Sequence, residues 1–125
     1  MKIFLIGLFG VLGVYTRYFV DLQISQQQES FPMATLTVNM IGCFTAGVVY
    51  CFIFHKYPSN LLQPILIGFC GGLTTFSGYA LQSLNFMTMD QMLKSFSYLI
   101  LSPTLGMLLV LVGFQTSLHF FFSQN

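Results

Sequence analysis

The stretch "GFCGGLTTFSGYALQ" (residues 68–82) sets two glycines, two threonines and a serine inside an otherwise apolar run. Its surroundings decide what that run is. The chain has 125 residues, 55% of them hydrophobic and only 6% charged. A soluble domain carries roughly 25% charged residues, so this chain has too little charge to cover a water-facing surface. Its length accommodates about four membrane helices of about 20 residues each. The reading is an all-α integral membrane protein, a single domain over residues 1–125.

Four apolar segments stand out, at about 3–20, 33–54, 61–86 and 93–122. Polar links separate them: "DLQISQQQES", "HKYPSN" and "MTMDQ". Lys2 followed by "IFLIGLFGVLGV" resembles a signal peptide, but no small-residue cleavage site follows, so residues 3–20 read as the first helix. A net charge of +1 offers no basic patch for nucleic acid. Cys43, Cys51 and Cys70 lie in apolar runs without a Cys-x-x-Cys pair, and His55 and His119 stand near segment ends. These are expected to be structural or interfacial residues rather than metal ligands.

Four spans put both termini on one side of the membrane. Lys2 and Lys56 then fall on that side and Arg17 and Lys94 on the other. Orientation follows the Lys/Arg bias. With no bias the chain is expected to insert both ways up and to form an antiparallel dimer. Gly7, Gly10 and Gly13 on the first span, and Gly42, Ala46 and Gly47 on the second, allow the close backbone approach on which helix packing in lipid depends.

Within the third span, residue 74 lies about 20 Å along a helix from Leu61, well inside a hydrocarbon core about 30 Å thick. Gly71 and Gly72 weaken helix by about 2 kcal/mol relative to alanine. Together with Thr74, Thr75 and Ser77 they mark an interruption near residues 71–78. A continuous helix packed tightly through Gly-Gly remains the alternative. Non-helical backbone at that depth must be buried in protein or line a wet cavity. It would offer carbonyls to a cation and a new helix amino terminus to an anion.

Other polar groups form helical stripes: Thr35, Asn39 and Gly42; Phe76, Tyr79 and Gln82; Tyr98, Ser102 and Gly106. Asn39 is the most telling, because a buried amide must find partners. Arg17 either snorkels to the interface or gives a vestibule positive bias. No carboxylate lies within a span; Asp21, Glu29 and Asp90 are in links or at ends. Hydroxyls, an amide and aromatic ring edges suit a small anion better than a cation.

Three stretches, "GLFGVLGVYTRYF" (7–19), "TLTVNMIGCFTAG" (35–47) and "GFCGGLTTFSGY" (68–79), resemble the Fluc, or CrcB, family of fluoride channels. The likeness covers nearly the whole chain. It implies passive fluoride export, not catalysis, in the cell inner membrane, by an antiparallel dimer with two pores. The third helix would be broken near mid-membrane. The backbone carbonyls of Gly71 and Thr74 would hold a structural Na+ on the dimer axis. The ion pathway would comprise Arg17, Thr35, Asn39, Phe76, Ser77, Tyr79, Gln82, Tyr98 and Ser102.

The chain departs from the family pattern in several places. Tyr79 stands where phenylalanine is usual, Ser77-Gly78 replaces Ser-Thr, Gln82 replaces a frequent glutamate, and Gly106 occupies a serine position. A divergent subunit pairing with a paralogous chain in a heterodimer is therefore one alternative. A small multidrug exporter is another, although residues 3–20 lack the acid it needs for proton coupling. A non-transporting, holin-like scaffold would explain the glycines but not the polar stripes.

Overall fold

The structure is a computed structural model and describes residues 1–25, 31–57 and 60–122. Half of the link expected at 21–30, part of the 55–60 link and the last three residues lie outside it. The described residues form helices α1 (Lys2–Ser25), α2 (Met33–Phe54), α3 (Leu62–Pro64), α4 (Gly71–Leu73), α5 (Phe76–Thr88) and α6 (Met92–Ser117). A π-helical stretch, Ile65–Cys70, joins α3 to α4, and another, Leu118–Phe122, extends α6. Four segments are long and apolar enough to cross a membrane: Lys2–Ile24, Met33–Phe54, Leu62–Thr88 and Met92–Phe121. The first helix runs past the apolar stretch read at 3–20, because helical hydrogen bonding propagates through polar residues once a helix is under way.

Glycines set the packing. A Cβ on Gly47 would fall into the Val110 carbonyl, and one on Gly113 into the Phe44 carbonyl, so α2 and α6 meet backbone to backbone. On the other side, Gly13 of α1 abuts the Phe69 carbonyl, and Gly72 abuts the Gly10 carbonyl. These two contacts hold the bundle where side chains have no hydrophobic incentive to leave lipid. α5 and α6 run antiparallel and are joined instead by polar bonds. Ser95 Oγ donates to the Ser83 carbonyl (2.8 Å) and the Tyr79 hydroxyl to the Leu99 carbonyl (2.8 Å), while Ser83 Oγ donates within α5 to the Tyr79 carbonyl (2.9 Å).

The third span holds a local departure from helix. Gly71 is helical, with φ −66° and ψ −34°, and α4 continues through Gly72 to Leu73. The non-helical residues are the two threonines: Thr74 (φ −80°, ψ 153°) and Thr75 (φ −143°, ψ 114°) are extended. The sequence reading included the glycines in the interruption, and the structure corrects that. Gly72 stays helical and is small because α1 lies against it. Threonine, β-branched and able to cap, takes the extended positions.

Candidate functional site

Thr75 is the hub of the site. Its backbone amide donates to Asn39 Oδ1 (2.8 Å), and Asn39 Nδ2 donates back to the Thr75 carbonyl (3.3 Å). The side chain of Asn39 thus pairs with an extended peptide much as a neighbouring strand would. Thr75 Oγ1 accepts the Gly78 amide (3.0 Å) and so caps the amino terminus of α5. On the other side, Thr74 donates to the Cys70 carbonyl from both its amide (3.0 Å) and its hydroxyl (2.9 Å). Gly42 makes room for this turn, since a Cβ there would strike the Thr74 methyl group.

The carbonyls from Gly71 to Thr74 lose their regular helical partners as a result, those of Gly71 and Thr74 among them. In an unbroken helix the Gly71 carbonyl would accept the Thr75 amide, and the Thr74 carbonyl would accept the Gly78 amide. The first amide goes to Asn39 and the second to Thr75 Oγ1. Gly71 is exposed, with open space where a side chain would stand.

Thr75 borders two cavities. One, of about 280 Å³, is also lined by Asn39, Thr74, Phe76, Tyr79 and Ser102. The other, of about 360 Å³, is lined by Arg17, Asp21, Thr35, Ser77 and Gln82. The pathway residues named from the sequence therefore divide between two spaces that share Thr75. Tyr98 lines neither. It is fully buried behind them, and its hydroxyl donates to Gln82 Oε1 (3.0 Å). Gln82 Nε2 in turn donates to Thr35 Oγ1 (2.7 Å).

Aromatic rings close one side of this region. Tyr79 meets Phe76 at 5.5 Å and Tyr98 edge-on at 5.2 Å, and Phe31 meets Tyr98 edge-on at 5.2 Å. Phe76 is 81% exposed. Ser102 lines the first cavity from α6. Thr16, Thr45 and Thr104 each bond the carbonyl four residues earlier in their own helix.

Sequence reasoning missed Thr75 as the hub, and Ser83 and Ser95 as the α5–α6 link. The signal for Thr75 was present: a threonine three residues before Gly78 is an N-cap pattern within an apolar run. Ser83 and Ser95 carry no such signal, because a lone serine reads the same whether it bonds its own helix or a neighbour.

Four apolar spans, with two clefts whose mainly apolar walls carry a few hydroxyl, amide and charged groups, define a multi-pass membrane protein. The chain belongs to the CrcB family: residues 4–114 match the family described as CrcB-like protein, Camphor Resistance (CrcB). It is 33% identical over 111 residues to the "Fluoride-specific ion channel FluC" of Hahella chejuensis, covering 86% of this chain and 87% of that one. Identity to the protein of the same name from Phocaeicola vulgatus is 36% over 118 residues, covering 93% and 98%. With that from Saccharophagus degradans it is 37% over 113 residues, covering 86% and 83%.

Proposed function

We propose that this protein is a fluoride channel of the inner membrane that lets fluoride leave the cytoplasm passively. The observation that carries the reading is the Asn39–Thr75 clamp, whose Thr75 borders two clefts that each carry polar groups, in a chain whose relatives bear the name of fluoride-specific channels. A small anion loses strong hydration on entering lipid and needs donors in series. Arg17 borders one cavity together with Asp21 and places a guanidinium donor beside it. The first turn of α5, beginning at Phe76, presents amides that a helix start leaves unpaired, at the positive end of its dipole. Ring edges of Phe76 and Tyr79 and the hydroxyl of Ser102 line the other cavity. The proposed path runs from Arg17, Thr35, Ser77 and Gln82 past Asn39 to Phe76, Tyr79 and Ser102, with Tyr98 holding Gln82 from behind.

The extended pair Thr74-Thr75 is placed near mid-membrane in this reading, and the working unit is an antiparallel homodimer surrounded by lipid. Phe76 at the mouth of the cavity and the open space beside Gly71 support a second protomer closing that side. The residues also fit a structural Na+ on the dimer axis. Gly71 and Thr74 each offer a carbonyl without its helical amide, and a hard cation takes oxygen ligands. Two such carbonyls from each of two chains make four oxygens. Bound there, the ion would offset carbonyl charge where the chains meet.

Fluoride efflux from liposomes holding this chain alone, with chloride as control, tests the reading. Fluoride-selective efflux is expected. Efflux only after addition of a paralogous chain would replace the homodimer by a heterodimer. Proton-coupled cation uptake without fluoride flux would restore the multidrug-exporter reading.

A further inference from the structure

Two details of the first cavity wall belong together. α6 contains Pro103 in its interior. Proline has no amide hydrogen, so the carbonyl four residues earlier, that of Leu99, cannot receive its helical bond. In lipid that carbonyl cannot turn to water, and a proline in a spanning helix is tolerated when neighbouring groups satisfy what it frees. The Tyr79 hydroxyl donates to the Leu99 carbonyl across the α5–α6 contact, at 2.8 Å.

We infer that Tyr79 is a positioning residue whose hydroxyl supplies the hydrogen bond Pro103 cannot. Three consequences follow from the geometry. The hydroxyl is committed to α6 and is not a ligand for the passing anion. The ring is pinned at both ends, by the backbone of α5 and by Leu99, which fixes its edge beside Phe76 and Tyr98 at 5.5 Å and 5.2 Å. And the segment of α6 bearing Ser102, one residue before the proline, is held against α5, which keeps Ser102 in the cavity wall. A phenylalanine at 79 would keep the ring but orphan the carbonyl. The tyrosine is thus required by this chain's proline, not by the anion. The bond itself is independent of the transported ion, and the flux readout rests on the channel reading.

The test is a double-mutant cycle of Tyr79→Phe and Pro103→Ala, read by unfolding in mixed micelles and by fluoride and chloride efflux from liposomes. In the Pro103 background, Tyr79→Phe is expected to lower the folded-to-unfolded ratio about tenfold, as an unsatisfied buried carbonyl does, and to slow fluoride efflux several-fold. In the Pro103→Ala background, residue 103 has an amide for Leu99. There the same Tyr79→Phe change is expected to alter stability and efflux less than about twofold relative to Pro103→Ala alone. Equal loss of efflux in both backgrounds, with stability unmoved, would make the hydroxyl an anion ligand and overturn the inference. So would Tyr79→Phe being silent throughout. Should Tyr79→Phe fail to fold, an isotope-labelled Leu99 carbonyl serves instead. Its infrared band in the intact protein is expected at a hydrogen-bonded frequency, and a free-carbonyl frequency refutes the bond. Loss of all fluoride efflux in the unmodified chain would sink the channel reading while leaving the stability cycle interpretable.

Discussion

Removing Asn39's amide probes the junction on which the proposed channel depends. Asn39→Ala takes away both partners of the Thr75 peptide, its acceptor at 2.8 Å and its donor at 3.3 Å. Each buried backbone group left unpaired costs about 1–3 kcal/mol. Cavities border this peptide, so water reaches part of it, and the lower half of the range applies: about 2–4 kcal/mol for the two groups. A loss of about 3 kcal/mol changes an equilibrium more than a hundredfold. The assay is the unfolding free energy in mixed micelles, paired with fluoride efflux from liposomes. Asn39→Asp is the control that separates structure from charge. It retains an acceptor for the Thr75 amide but loses the donor and adds a negative charge beside the proposed anion path. It is expected to cut flux more steeply than stability. If Asn39→Ala unfolds within about 0.5 kcal/mol of the natural protein and conducts normally, the clamp is not what holds Thr75 extended, and the proposal fails with it.

Gly47→Leu and Gly113→Leu should each destabilise by at least about 2 kcal/mol, because both side chains would enter a facing carbonyl; Gly7→Ala, with open space around it, is the silent control in the same unfolding assay. Gly71→Ala should leave the protomer's fold intact, since nothing lies near its missing Cβ, yet weaken dimerisation if Gly71 lies on the axis; a dimer fraction unchanged in analytical ultracentrifugation argues against that placement. Exchange of Na+ for a bulky organic cation should lower the thermal midpoint of the proposed dimer, and an unchanged midpoint would remove the proposed ion. Gln82→Glu should keep its bond from Tyr98 and accept one from the Thr35 hydroxyl, with efflux within a few-fold of the natural protein, whereas Gln82→Leu loses both bonds and should fall further.

Much of the architecture is determined by solvent preference alone. With 6% of its residues charged, the chain can satisfy its backbone in lipid only as helices, and runs of that length mark the four spans without reference to any neighbour. The glycines at 13 and 47 were legible as packing positions for the same local reason: they remove the side chain that keeps helices apart; Gly72, read as part of an interruption, shows its packing role only where α1 lies against it. What the sequence could not assign is the partner of each polar group. Asn39 on a stripe announces that an amide must be satisfied, but not that Thr75, thirty-six residues away in the chain, supplies both ends of the bond. Tyr79 and Pro103 look unrelated until α5 lies against α6 and a hydroxyl reaches a carbonyl that no amide can claim. Helix and span are written in local hydrophobicity and periodicity, whereas hydrogen bonds between spans depend on the rotation and depth of one helix against another, and those quantities exist only once the bundle has formed.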